Sequence, residues 1–168
     1  MFGKSLILMV GALFVLAGCG FQPLYGDHSL STSQAVRDSL NSIKITNIPD
    51  QSGQYLKNAL MDRLYSQGRP GANARYTLNV ADLSEGITNL DITKTSDSTR
   101  AQLAISTSIR LVDAKGEELL VRPLRAVTSF NILDSQFTTR IAEDAARRQV
   151  LDDLSRQIEM QLLLYFNR

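Results

Sequence analysis

Between Ala101 and Leu111 the chain alternates with little interruption. Ala101, Leu103, Ile105, Thr107, Ile109 and Leu111 fall on one side, and Arg100, Gln102, Ser106, Ser108 and Arg110 on the other. Period two is the mark of a strand with one face in a core and the other in water. Other segments are shorter. Ile43-Lys44-Ile45-Thr46-Asn47-Ile48 is rich in β-branched residues and ends at Pro49, which predicts a strand. Asp50 or Ser52 then caps a helix with Tyr55, Leu56, Ala59, Leu60 and Leu64 at helical spacing, and Gly68 and Pro70-Gly71 stop it. Tyr76, Leu78 and Val80 alternate with polar or small neighbours. After Gly86 the apolar positions Ile87, Leu90 and Ile92 continue out of phase, which predicts one long strand carrying a bulge. The polar run Thr93–Thr99 is a hairpin loop, and Asp113-Ala114-Lys115-Gly116 is a turn with glycine where φ turns positive. Glu118–Ile132 returns as the last strand, with Pro123 marking an edge or a bulge.

Asp134 or Ser135 opens a final helix through about Phe166. Ile141, Ala145, Leu151, Leu154, Ile158, Leu162 and Tyr165 fall on or near one stripe. Glu143–Arg147, Asp144–Arg148 and Asp152–Arg156 are pairs of favourable order four residues apart. A helix of roughly 27 residues spans about 40 Å, enough to cross a small sheet. A further short helix is expected over Ser33–Ser42. The core pattern is β-α-β-β-β-α. Its first crossover predicts a parallel pair and its hairpins predict antiparallel ones. The fold class is therefore α+β: a two-layer α/β sandwich, with a four-stranded mixed sheet and two helices packed on one face.

The N-terminus follows another logic. Lys4 precedes an apolar run, Leu6–Ala17, of 12 residues, whereas a membrane-spanning helix needs about 20. A positive start, a short apolar stretch and small residues before a cut predict a secretory signal. Leu16-Ala17-Gly18-Cys19 resembles the lipobox of bacterial lipoproteins, with cleavage between Gly18 and Cys19 and acyl chains on the Cys19 sulfur. Cys19 is the single cysteine of the chain, so it has no disulfide partner within it. The expected organisation is a removed signal peptide over residues 1–18, a lipidated N-terminus and tether over 19–42, and one α/β sandwich domain over 43–168. Gly20 follows the anchor, where many inner-membrane lipoproteins carry Asp. By that resemblance the expected location is the periplasmic side of the outer membrane.

Charge and chemistry narrow the function. Lys4 is the only charged residue before Cys19, so the remaining 17 basic residues balance the 17 acidic ones. A neutral chain argues against a nucleic-acid partner. His28 is the only histidine and lies in the tether, so neither a zinc site nor a triad can be assembled from the usual side chains. The adjacent carboxylates Glu117-Glu118, Glu143-Asp144 and Asp152-Asp153 read as solvated charge. No phosphate-cradling glycine loop is present. No catalytic residue, metal or cofactor is expected, which favours a binding or assembly protein. The alternatives are a lipid-anchored envelope enzyme acting on the cell wall and a pilot lipoprotein of another outer-membrane pore.

Cys19-Gly20-Phe21-Gln22-Pro23-Leu24-Tyr25-Gly26 resembles the mature N-terminus of the LPS-assembly lipoprotein family LptE, in its alphaproteobacterial form. Arg100-Ala101-Gln102-Leu103, Ile109-Arg110-Leu111-Val112-Asp113 and Ala142-Glu143-Asp144-Ala145-Ala146-Arg147-Arg148 are similar as well. Gln136-Phe137 departs from the family pattern. The resemblance implies a non-enzymatic sandwich that sits inside the outer-membrane β-barrel LptD, plugs it, and supports lipopolysaccharide delivery to the outer leaflet. It implies three partners: that barrel, lipopolysaccharide, and the membrane through acyl chains on Cys19. For Phe21, Pro23, Leu24 and Tyr25 two readings stand, a segment docked on the barrel and a greasy tether near the bilayer. Lipopolysaccharide is polyanionic, so candidate contacts are Lys94 and Arg100 beside one hairpin and Lys115, Arg122 and Arg125 around the next, as a basic end of the sheet. The plainer reading is that these charges keep hairpins soluble.

Overall fold

The computed structural model describes residues 34–65, 68, 70, 74–90 and 100–167. Helix α1 (Gln34–Asn41) leads into the short strand β1 (Ile43–Ile45) and helix α2 (Asp50–Leu64). Strands β2 (Tyr76–Val80), β3 (Ser84–Asn89), β4 (Arg100–Asp113) and β5 (Glu118–Asn131) follow, and helix α3 (Gln136–Phe166) ends the described chain. The expected α+β class is what forms, as a mixed, open five-stranded sheet with three helices among the described residues.

The fifth strand has a simple origin. β2 and β3 both pair antiparallel with the same edge of β4, in series: Val80 faces Ile109, and Ser84 faces Ser106. Three residues, Ala81 to Leu83, thus oppose only Thr107 and Ser108, which is a one-residue bulge. It is pinned by Ala81 N–H donating to the Ser108 carbonyl (2.9 Å) and by the Thr107 hydroxyl donating to the Ala81 carbonyl (2.8 Å). The expected interruption therefore exists but lies five residues before Gly86, because the Thr107 side chain stitches it there. Counted as lanes, the sheet runs β1, β2 with β3, β4, β5. β1 is parallel to β2 and the rest are antiparallel.

The β4–β5 hairpin is the spine, each strand being 14 residues long. Its turn is set by Asp113, whose carboxylate accepts from Lys115 N–H (2.9 Å) and Glu117 N–H (2.8 Å). Gly116 sits there at φ +85°, a left-handed conformation that costs glycine little. The period-two face of β4 is buried as expected: Leu103, Ile105, Ile109 and Leu111 are fully covered. Leu56 and Leu60 of α2 and Leu151, Leu154 and Ile158 of α3 are buried in the same core. α1 adds Val36 and Leu40 to the same core, so the packed unit starts before the expected boundary at residue 43.

α3 runs for 31 residues, about 46 Å. Its expected stripe is buried only from Ala146 onward; Ile141 is 51% exposed and Ala145 is also exposed. The reason is length. The bonds that join α2 to α3 fall on Asp152, Ser155 and Glu159, in the second half of α3, and none reaches its first turns.

α2 approaches Ile48 closely at Gly53. A methyl group there would lie 2.7 Å from Ile48 Cγ2 and 2.9 Å from the Ile48 carbonyl carbon. Backbone cannot swing aside, so overpacking of about 1–3 kcal/mol should outweigh the roughly 1 kcal/mol of helix propensity that alanine adds. Gly53→Ala is expected to lower the melting temperature by several degrees; an unchanged or higher value would mean that the α2 entry yields.

Candidate functional site

Among the described residues, one face of the sheet is uncovered. The described helices pack on the other side, and the bare side carries rows set by strand register. These are Asn79–Arg110–Val121, Ser84–Ser106–Arg125, Gly86–Ala104–Val127 and Thr88–Gln102–Ser129. Gln102, Ser106, Ser108 and Arg110 lie on this face as their alternation requires, half-buried or exposed. Its chemistry is small and hydroxyl-rich, with Arg110 paired to Glu118 (3.0 Å). Such a face can offer many hydrogen bonds at low relief. It has nothing that attacks a bond.

The four described residues among the expected basic contacts do not meet at one end. Arg100 pairs in register with Asn131, whereas Lys115 lies in the turn at the other end of the β4–β5 hairpin. About 13 residues of strand, roughly 45 Å, separate them. Arg122 opposes Ile109 and Arg125 opposes Ser106, along the middle of β5. Arg100, Lys115, Arg122 and Arg125 are all exposed. The single basic end is corrected to a scatter along the hairpin, because the strands are longer than the charges' clustering in sequence suggests. Lys94 lies outside the described residues. So do Gly18 and Cys19, the tether residues Phe21, Pro23, Leu24 and Tyr25, and His28.

One cleft does form, about 280 Å³, between the start of α2 and the middle of α3. Gln51, Ser52, Tyr55, Arg147, Arg148 and Leu151 line it, with Asp144. Arg147 is the hub. It reaches Glu85 of β3 through two hydrogen bonds (2.7 and 3.0 Å), and Glu143 (2.6 Å) and Asp144 (2.7 Å) of its own helix. The hydrogen bonds to Glu85 first, and to Glu143 second, hold its guanidinium protonated well above its ordinary value. With three carboxylates around it, it is a clasp between helix and sheet. Tyr55 donates to Asp152 (3.2 Å); burial first, and then that carboxylate, hold its phenol above the usual value, against Arg148. Arg63 fastens α2 to α3 at Ser155 (2.8 Å) and Glu159 (3.2 Å).

These contacts also show where the acidic pairs go. Glu118, Glu143, Asp144, Asp152 and Asp153 all have a hydrogen-bonding or ionic partner; Asp153 pairs with Arg156. Asp144 joins Arg147 and Asp153 joins Arg156 at three-residue spacing, in place of the expected Asp144–Arg148 and Asp152–Arg156 pairs. No group of three or more metal-ligating side chains occurs among the described residues.

One feature escaped the sequence reading. Ile87, Leu90, Leu133, Phe137 and Ile141 are 45–73% exposed, around the end of the sheet that holds Arg100. Leu90 N–H donates to the Arg100 carbonyl, and the Thr139 hydroxyl bonds both N–H and C=O of Leu133, which brings these segments together. Its only signal was Phe137, a bulky residue near the start of a helix.

Comparison with known proteins bears on the whole arrangement. The model of the family LptE, lipopolysaccharide-assembly, matches residues 40–162. No curated protein matches the sequence. Among solved structures, a protein of Caulobacter crescentus CB15 described as a lipoprotein is similar at TM-score 0.62 and 22% identity, covering 80% of this chain and 97% of its own. The minor lipoprotein of Acinetobacter baumannii gives 0.60 and 23%, over 74% of this chain and 92% of its own. The rare lipoprotein B of Shewanella oneidensis gives 0.58 and 10%, over 71% and 90%. At these identities the structures establish a shared fold.

Proposed function

Since the chain belongs to the LptE lipopolysaccharide-assembly family, a non-enzymatic family of envelope lipoproteins, we infer that it works as the lumenal plug and assembly partner of an LptD-like outer-membrane β-barrel. The observation that carries this reading is the sandwich with one bare face: Gln102, Ser106, Ser108 and Arg110 form a polar skin that no described helix or strand covers. A barrel lumen is polar and hydrated, so a plug needs hydrogen-bonding surface outside and an ordinary apolar core inside. The arrangement meets both needs. No described helix is long and apolar enough to cross a membrane. In this reading residues 1–18 are removed, acyl chains on Cys19 hold the domain to the periplasmic side of the outer membrane, and Phe21, Pro23, Leu24 and Tyr25 dock near the barrel.

Lipopolysaccharide phosphates call for guanidinium or ammonium groups. Candidate groups are Arg125, exposed on the bare face of the sheet, Arg122, exposed on the opposite face across from Ile109, and Lys115 in the turn. Lys94 and Arg100 extend the candidate set.

The test is capture from envelopes dissolved in mild detergent, with the tagged protein as bait. One large β-barrel of the lipopolysaccharide-export type is expected to co-purify. Depletion of the lipoprotein is expected to leave that barrel misassembled, seen as loss of its heat-modifiable migration. Capture of a different secretion pore would establish the pilot reading instead, and a correctly folded barrel after depletion would end the proposal.

A further inference from the structure

The outer edge of β5 is open. β5 pairs only with β4, and no other described strand lies beside it. In an antiparallel strand the N–H and C=O of one residue point to the same edge, and successive residues alternate edges. The carbonyls of Arg100 and Ser108 accept from Leu90 and Ala81, so even-numbered residues of β4 face β3 and β2, and odd-numbered ones face β5. The register sets Ile105 opposite Ala126 and Leu103 opposite Thr128. Hence even-numbered residues of β5 bond to β4, and Val121, Pro123, Arg125, Val127, Ser129 and Asn131 turn their backbone outward.

Three independent details agree with that parity. Pro123, which has no N–H to give, is at an outward position. The outward carbonyl of Val121 is taken by the Arg122 guanidinium (2.9 Å), and that of Arg125 by the Gln157 amide (3.3 Å). Val127, Ser129 and Asn131 keep open donors and acceptors along an exposed stretch with no lysine and no further proline. Natural proteins usually blunt such edges. This one is blunted over its first half and left bare over its second.

We propose that the Val127–Asn131 edge of β5 receives an extended strand of the barrel partner, extending the sheet by backbone hydrogen bonds. This rests on the functional reading above. Charge supports a foreign strand over a second copy. β5 carries Arg122 and Arg125 and no acid from Leu119 to Leu133, so the edge of a second copy would offer Arg125 no carboxylate. A partner strand with a carboxylate opposite Arg125 would be complementary, both side chains lying on the bare face of the sheet.

The double variant Val127→Pro, Ser129→Pro removes two outward N–H groups and leaves the β4 ladder intact, as native Pro123 does. It is expected to keep the wild-type circular dichroism spectrum while losing about tenfold or more in barrel capture. Hydrogen exchange of the wild-type complex needs no variant, and amides of the 125–133 peptide are expected to slow about tenfold or more on binding. Full capture by a folded double variant, or unchanged exchange in the complex, would overturn the inference while leaving the plug reading in place. A proline-sensitive dimer of the lipoprotein alone would also overturn it, by assigning the edge to a second copy. If the wild type captures no barrel, the functional reading falls and this inference with it.

Discussion

Ala145→Pro is expected to cost about 3 kcal/mol or more of folding stability. Ala145 is exposed on α3, so the substitution buries and uncovers nothing of the side chain. The loss is one of backbone: the N–H that bonds to the Ile141 carbonyl disappears, and the ring collides with that carbonyl. The position makes the damage spread. Within the next five residues, Ala146, Arg147 and Val150 begin the buried stripe and the clasp to Glu85, and a kink at 145 tilts all of them off the sheet. A domain of this size holds about 5–15 kcal/mol in total, so such a loss is a large share of it. Ala145→Gly is the control, and it should cost about 1 kcal/mol because only propensity changes. Chemical denaturation of both variants checks the pair. Near-equal stabilities would mean that the N-terminal turns of α3 fold independently of the sandwich.

The same helix shows how far a sequence carries. Its start, its end and its buried second half were legible, because Leu151, Leu154, Ile158 and Leu162 repeat at helical spacing and all join the core. The exposure of Ile141 was not legible, since it depends on where another helix begins, a matter of chain geometry around Asp50 and Gln51. β4 was legible throughout because one strand with one buried face writes period two into its own residues. The bulge was legible in existence and misplaced in position: the phase slip shows in the apolar pattern, but its site is set by Thr107 on the opposing strand. Paired strands also explain the basic residues. Lys115, Arg122 and Arg125 are near in sequence to one turn, and Arg100 to the other, yet the hairpin that separates the turns is 14 residues long on each side. Sequence proximity to a hairpin says nothing of which hairpin end is meant. The open β5 edge was half legible, through Pro123; its other half needed the parity of hydrogen bonds.

Cys19→Ala is expected to abolish maturation altogether. In the proposed reading the Cys19 thiolate is the nucleophile that accepts the diacylglyceryl group, and alanine has none. The variant should therefore carry residues 1–18 and no lipid, read directly as intact mass, and should vanish from the outer-membrane fraction on density separation. The expected effect is large because the rest of the chain supplies little to replace such an anchor. With 17 acidic residues against 17 basic ones from Cys19 onward, the chain has no net charge to draw it to an anionic surface. Each buried methylene of an acyl chain contributes about 0.8 kcal/mol, so a single chain binds marginally and two or more hold firmly. That difference bears on the barrel as well. A tethered domain meets its partner at the high local concentration its linker allows, whereas a free one depends on bulk encounter. Capture of the barrel should thus fall in Cys19→Ala even though every residue of the sandwich is unchanged. Wild-type mass and sorting in that variant would refute the anchor. Wild-type capture by a shorter chain that starts after Cys19 would show instead that the sandwich surface alone drives assembly, and would move the weight of recognition onto the bare sheet face and its open edge.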